Sequence, residues 1–153
     1  HNSNKISSSA IRENLKSGKF ELANKDLERN FSVAGKVIKG DQRGRTIGIP
    51  TANLEYPLNT ITIPYGVYAV ETIIEGNTYL GIVNFGIRPT FNKDKPIVEA
   101  YLFDFDKDIY DKNVEILFHK QIRQEKKFND IKELLNQINI DIAEAKKILK
   151  YGN

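Results

Sequence analysis

Alternation of apolar and polar residues marks much of the middle of the chain as half-buried β-strand. Between Tyr65 and Glu75, successive side chains are predicted to point to opposite faces of a sheet. Such segments, rich in Val, Ile, Tyr and Phe and mostly bounded by turn residues, span residues 32–39, 65–75, 78–85, 98–105 and 114–123. Their connections are too short for crossover helices, which favours an antiparallel barrel of about five or six strands over a doubly wound sheet.

Helical periodicity replaces this alternation at both ends of the chain. Residues 7–29 predict two short helices divided at Gly18, with too little apolar surface to form a domain of their own. Near the other end, capping-box-like starts at Asp130 and Asp141 predict two further helices. The simplest arrangement has these C-terminal helices closing one side of the barrel.

Composition narrows the functional classes. The chain has 153 residues, a length suited to one domain with a short appendage. Its formal net charge of +3 comes from 23 basic and 20 acidic residues, too small an excess to indicate nucleic-acid binding. The absence of cysteine excludes disulfides and thiol nucleophiles and fits a reducing cytoplasm. His119 is interpreted as a packing residue, and no apolar run is long enough to span a membrane.

A glycine-rich stretch from Gly40 to Asn53 carries the clearest candidate chemistry. Glycine allows backbone N–H groups to approach phosphate oxygens, and arginine can direct two donors at them. Thr51 and Asn53 offer neutral oxygen ligands on one side of a stiff strand, suited to magnesium carried by a nucleotide. A Walker P-loop is excluded because Asp41-Gln42 stands where Lys-Ser/Thr is required. The alternative is a plain glycine turn between strands, with solvated arginines.

Two further features could complete a site. Glu99 lies among apolar neighbours in a predicted strand, where a partly desolvated carboxylate can act as a general base. The alternative is a glutamate on an edge strand, facing water. Arg123 and Lys126 could bind an anion beside the aromatic face of Phe128, or simply end a strand next to a core phenylalanine. Residues 83–91 are explained by a turn that can brace the site.

In combination these residues resemble the riboflavin kinase family, in the form fused to the C-terminal end of bacterial bifunctional riboflavin kinase/FAD synthetase. The matching motifs occur in order from Phe31 to about Leu149. They are Gly35-Lys36-Val37, Gly40-Asp41-Gln42-Arg43-Gly44-Arg45, Gly48-Ile49-Pro50-Thr51-Ala52-Asn53, Gly66-Val67-Tyr68, Asn84-Phe85-Gly86-Ile87-Arg88-Pro89-Thr90-Phe91, Glu99 with Phe103-Asp104-Phe105, Asp108-Ile109-Tyr110 and Arg123-Gln124-Glu125-Lys126-Lys127-Phe128.

The N-terminal residues resemble the end of the adenylyltransferase module of the same bifunctional proteins. The segment from Ile6 to Arg12, Ile-Ser-Ser-Ser-Ala-Ile-Arg, matches a motif of that module. We therefore expect residues 1–30 to be its C-terminal tail with a linker, and residues 31–153 to be the riboflavin kinase domain. The chain opens at His1 without an initiating Met, so the body of the module is expected upstream and this chain is expected to lack FAD synthetase activity.

The resemblance implies a six-stranded antiparallel β-barrel with C-terminal helices that transfers the γ-phosphoryl group of ATP to riboflavin, giving FMN and ADP. Glu99 would be the general base, and Thr51 and Asn53 would bind Mg²⁺ and nucleotide phosphates. The other ATP-binding residues would be Gly40, Arg43, Gly44, Arg45, Leu102, Asp104 and Tyr110, and the flavin-binding residues would be Arg123, Lys126 and Phe128. The rivals are a non-catalytic flavin- or nucleotide-binding barrel and an oligonucleotide-binding barrel, which the charge balance disfavours.

Overall fold

The computed structural model describes residues 8–39, 51–57, 59–88 and 95–150, and the strands among them close into a barrel. Neighbouring strands are antiparallel throughout, and the order around the barrel is β1-β2-β5-β4-β3-β6. The predicted mainly β, six-stranded antiparallel barrel is confirmed. In chain order the elements are α1 (Ser8–Lys16), α2 (Phe20–Leu27), β1 (Ser32–Ile38), β2 (Ala52–Glu55), β3 (Gly66–Ile74), β4 (Asn77–Arg88), β5 (Lys95–Leu102), β6 (Asn113–Gln124) and α3 (Ile131–Ile148).

The alternation along the strands separates a packed interior from an outer face. Tyr68, Val83, Val98 and Phe118 are fully buried members of the interior cluster. The intervening residues point outward, and some of them form a second apolar cluster under α3. This outer cluster includes Val67, Ala69, Ile82, Phe103 and Ala145.

The N-terminal helices contribute to the same interior. Leu15, Phe20 and Ala23 are at most 1% exposed and belong to the interior cluster. The ring of Phe20 lies edge-on to that of Tyr68, with centroids 5.1 Å apart. Asn24 donates from Nδ2 to a backbone carbonyl of β6 at 2.8 Å, which joins α2 to the barrel wall. The described part of the predicted tail-and-linker segment is therefore packed into the barrel core.

The prediction of two C-terminal helices is wrong, because α3 runs without a break through Asp141. Asp130 does cap this helix, and its carboxylate accepts a hydrogen bond from the Glu133 N–H at 2.8 Å. Asp141 is only 1% exposed, and its carboxylate accepts hydrogen bonds from Arg123 and Gln137. A carboxylate occupied by side-chain donors within a continuous helix is not available to start a new one.

A tight two-residue turn joins β3 to β4 in a hairpin. Its two turn residues, Glu75 and Gly76, have φ of 50° and 83°. Positive φ at both central positions is the geometry whose twist matches a β-hairpin, and glycine adopts it without steric cost.

Among the described residues, no helix is long and apolar enough to cross a membrane.

Candidate active site

Strand pairing brings Asn53, Glu99 and Asn84 into one line across β2, β5 and β4. The line continues because Asn84 is opposite Val67 on β3, and Val67 is opposite Arg123 on β6. Directly opposed residues in antiparallel strands project to the same face, with Cβ atoms about 5 Å apart. We call these five residues the site row. It lies on the outer face and joins the predicted magnesium ligands to the predicted flavin-binding residues.

Glu99 is the charged centre of one half of this row. Its Oε2 atom accepts a hydrogen bond from the Thr51 hydroxyl at 3.3 Å, and Asn53 is directly opposite on β2. All three side chains are half-buried. Val98 and Ala100, on either side of Glu99, are buried in the interior, as the alternation predicts. A carboxylate, a hydroxyl and an amide therefore share one partly desolvated patch.

These oxygens fit Mg²⁺ that arrives on a nucleotide. The described residues contain no group of three or more His, Cys, Asp or Glu able to hold a metal without help. Mg²⁺ is typically bound by one or two protein ligands together with substrate phosphates and water. Thr51 and Asn53 supply hard oxygen ligands of this kind, and the adjacent Glu99 adds negative charge.

Tyr110, one of the predicted nucleotide-binding residues, lies on a loop beside the end of β1. Tyr110 is 51% exposed, and the Nζ atom of Lys39 lies 5.5 Å from its ring centroid. Lys39 immediately precedes the glycine-rich stretch in the chain. The loop that carries Tyr110 is held against β1, because the Val37 N–H donates to the Lys112 carbonyl at 2.9 Å.

The other ATP-binding predictions divide into two groups. Leu102 is 5% exposed and lines a small interior cavity of about 10 Å³. Asp104 is an exposed turn residue with a left-handed φ of 56°. The remaining predicted ATP-binding positions lie outside the described residues: Gly40, Arg43, Gly44 and Arg45.

At the far end of the site row, Arg123 ties β6 to α3. Its Nε and Nη2 atoms donate to the Asp141 carboxylate at 2.9–3.0 Å, and Nη1 donates to the Gln124 carbonyl at 3.0 Å. The guanidinium carbon lies 5.7 Å from the Phe128 ring centroid, and the Lys126 Nζ atom lies 5.8 Å from it. Two of the predicted flavin-binding residues, Arg123 and Lys126, therefore lie near the ring of the third, Phe128, and Arg123 is fixed by a buried ion pair.

Sequence reasoning missed two residues at this site. The sequence pattern explains Asn84 as part of a bracing turn, although it is a polar residue between two strongly apolar strand neighbours, the same signal that makes Glu99 a candidate. The structure places its Oδ1 atom in a buried position with no hydrogen-bond partner among the described residues. Asp141 was assigned as a helix start, and only the tertiary contact with Arg123 reveals its role.

A family model for riboflavin kinase matches residues 27–149. This chain belongs to the riboflavin kinase family. It is 47% identical over 144 residues to a bifunctional riboflavin kinase/FMN adenylyltransferase of Bacillus subtilis, covering 92% of this chain and 46% of that protein. The resemblance inferred from the sequence is confirmed, and the chain spans about half the length of the curated relatives it matches.

Solved structures share the barrel of this riboflavin kinase family member. A Streptococcus pneumoniae protein, described as a macrolide-efflux protein, superposes with a TM-score of 0.84 at 34% identity, over 93% of this chain and 46% of the other. A riboflavin kinase from Trypanosoma brucei superposes with a TM-score of 0.55 at 20% identity, over 79% of this chain and 80% of the other. At that identity, the second similarity shows the fold alone.

Proposed function

We propose that this chain is a riboflavin kinase, which transfers the γ-phosphoryl group of ATP to the terminal ribityl hydroxyl of riboflavin and releases FMN and ADP. The observation that carries the proposal is the position of Glu99. A half-buried carboxylate lies on a strand hydrogen-bonded on both sides, beside the Thr51 hydroxyl and in register with Asn53. Membership of the family indicates that the substrates are ATP and riboflavin. The geometry around Glu99 supports a general base next to the residues that would bind the phosphates.

Glu99 acts as the general base in this proposal. Phosphoryl transfer depends chiefly on in-line positioning and on neutralising charge at the transferring oxygens. As the ribityl oxygen bonds to the γ-phosphorus, the bond from phosphorus to the β–γ bridging oxygen breaks, and the hydroxyl proton passes to the Glu99 carboxylate. Because β5 is paired with both β2 and β4, the carboxylate is held by a rigid sheet.

Thr51 and Asn53 would hold Mg²⁺ together with the nucleotide phosphates, and the ion would supply charge neutralisation at the phosphate oxygens. The arginines of the glycine-rich stretch would add to that neutralisation. Tyr110, with Leu102 and Asp104, lies on the nucleotide side. Phe128 is the proposed aromatic partner of the flavin ring, and the cations Arg123 and Lys126 lie near it.

We also propose that the full-length protein carries an N-terminal adenylyltransferase module and acts in the cytoplasm. The similar proteins are bifunctional, and this chain matches slightly less than half of each. In this arrangement residues 1–30 form the tail of that module and residues 31–153 the kinase domain. No nucleic-acid or membrane partner enters the proposal.

Replacing Glu99 with Gln tests the proposed base. Glutamine keeps the size and the hydrogen bond to Thr51 but cannot accept a proton, so FMN formation should fall about 10²–10⁴-fold. The measurement is FMN production from riboflavin and ATP with Mg²⁺, alongside ATP binding, which should change little. Chelation of the divalent cation should abolish turnover in the unaltered chain.

Glu115→Gln is the matched control for this experiment. Glu115 is also a half-buried strand glutamate that accepts a hydrogen bond from a hydroxyl, that of Ser32 at 2.8 Å, but it lies outside the site row. Its variant should retain full turnover. Glu99→Gln turnover within a few-fold of the unaltered chain would refute the assignment of the base.

A further inference from the structure

Asn84 occupies the middle of the site row, one strand away from Glu99. Its Oδ1 atom is buried and has no hydrogen-bond partner among the residues that the structure describes. On β3 the residue opposite it is Val67, which is 2% exposed and has no polar group in its side chain. The Thr51 hydroxyl donates to Glu99 instead. The row therefore contains an acceptor for which the described chain supplies no donor.

An unmade hydrogen bond of this kind has a cost in the folded protein. Leaving a buried polar atom without a partner costs its desolvation free energy, whereas an apolar side chain of the same shape avoids the penalty. Leucine is close to asparagine in shape, so a strand that only needed packing at this position would be more stable with leucine. The polar side chain is explained if a ligand supplies the missing donor.

The position of Asn84 in the site row indicates which part of a ligand supplies the missing donor. Neighbouring strands lie roughly 4.8 Å apart. Asn84 on β4 is therefore about 5 Å from the strand that carries Glu99 and about 10 Å from the strand that carries Arg123. A flavin whose ring lies near Phe128, and whose terminal hydroxyl lies at Glu99, would extend its polyol chain across β4. The inner hydroxyls of that chain are donors at the required place.

We propose that Asn84 is a specificity residue, whose Oδ1 atom accepts a hydrogen bond from an inner hydroxyl of the substrate's polyol chain. The inference rests on the proposed function. Through this hydrogen bond Asn84 selects substrates that carry a polyhydroxylated chain, and it aligns the terminal hydroxyl of that chain with Glu99. A site that is built to hydrogen-bond a hydroxyl discriminates strongly against analogues that lack it, because its acceptor is then left unpaired.

The test compares Asn84→Leu with the unaltered chain on riboflavin and on its 2′-, 3′- and 4′-deoxy analogues. The unaltered chain should bind one analogue about tenfold more weakly than riboflavin, as expected for one lost hydrogen bond. Asn84→Leu should bind riboflavin and that analogue equally, both at the weaker level. Flavin fluorescence gives the dissociation constants, and kcat/KM for each compound gives the same comparison in turnover.

Thermal unfolding separates a binding role from a structural one. Because the Oδ1 atom has no hydrogen-bond partner in the described part of the chain, Asn84→Leu should unfold at the same temperature as the unaltered chain or higher, while binding riboflavin more weakly. Thr72→Val is the matched control, since the Thr72 hydroxyl is the other buried oxygen without a partner among the described residues, and it faces the interior. That variant should also gain stability, but with unchanged riboflavin affinity.

Several outcomes would overturn the inference. Asn84→Leu could keep the preference of the unaltered chain among the analogues, or the unaltered chain could bind all of them as well as riboflavin. Asn84→Ala undergoes the same measurements, so a folding failure of one variant does not leave the question open. If the unaltered chain forms no FMN, the proposed function fails, and the dissociation constants still decide the role of Asn84.

Discussion

The barrel interior and the site row are built by the same strands, yet they are constructed in opposite ways. On β5 and β4, the interior residues Val98 and Val83 are fully buried and apolar, while the adjacent Glu99 and Asn84 are polar and half-buried. The interior is filled by packed rings and aliphatic side chains, whereas the site row keeps a carboxylate and an amide oxygen with no hydrogen-bond partner among the residues the structure describes. The packed interior and the candidate site thus occupy alternate positions of one sheet. Substitutions on the interior face should mainly change the free energy of unfolding, and those on the site row should mainly change activity.

The largest loss of stability is expected from Phe20→Ala, at the end of the interior that the N-terminal helices fill. Phe20 is 1% exposed and packs against Tyr68, Phe31 and Phe118. Truncating a buried phenylalanine removes apolar contacts and leaves a cavity, which costs about 3–5 kcal/mol. Urea unfolding measures this change in the free energy of unfolding.

Leu22→Ala, on the same helix, is the control for Phe20→Ala. Leu22 is 52% exposed, so its truncation should change the free energy of unfolding by less than about 0.5 kcal/mol. If Phe20→Ala were equally mild, the N-terminal helices would be a removable tail, and the interior would end at the strands.

The next largest effect should come from the ion pair between Arg123 of the site row and Asp141 of α3. Arg123→Ala leaves the Asp141 carboxylate, which is 1% exposed, buried without its charged partner. Breaking a buried pair in this way costs about 3 kcal/mol or more. Asp141→Ala leaves a guanidinium that is 17% exposed and can reach water, so its cost should be smaller. Thermal or urea unfolding of both variants gives the ordering.

Equal destabilisation by the two substitutions would contradict this view of the pair. A double variant, Arg123→Met with Asp141→Leu, is a further test of this ion pair. Replacing both charges by apolar side chains of similar volume is often neutral or stabilising, so the double variant should be more stable than Arg123→Ala. Any loss of flavin affinity that remains in the double variant then reports on the guanidinium itself and not on the anchoring of β6.

The sequence predicts the interior better than it predicts the site. Alternation identifies the long strands because it is a local property, whereas β2 has only four residues and is predicted only as the stiff strand that carries Asn53. Residue type alone singles out Glu99 and Thr51 as candidates, but the site row depends on the register of five strands, which closure of the barrel sets at long range. Asp141 was misassigned for the same reason, since its partner is 18 residues away in the chain.

The smallest expected effect concerns a polar group of the interior that, unlike Asn84, is satisfied. Tyr68 is fully buried, and its hydroxyl donates to the Pro64 carbonyl at 2.5 Å. Burial raises the pKa of Tyr68, and the neighbouring Tyr56 raises it further. The folded chain therefore holds the neutral phenol at a pH where the unfolded chain, with a pKa of about 10, has released the proton.

This difference makes stability depend on pH in one direction. The contribution of neutral Tyr68 is fully present below about pH 10 and declines above it, by up to about 1.4 kcal/mol per pH unit, because only the unfolded state ionises. Tyr68→Phe should lose about 1 kcal/mol near neutral pH, from one missing hydrogen bond, but should decline less steeply between about pH 10 and 11. Urea unfolding across that range measures the slope, and Tyr110→Phe, at a 51% exposed tyrosine, should leave it unchanged. An unaltered slope in Tyr68→Phe would mean that this phenol ionises without unfolding the barrel, so that its interior is less tightly sealed from solvent than its packing indicates.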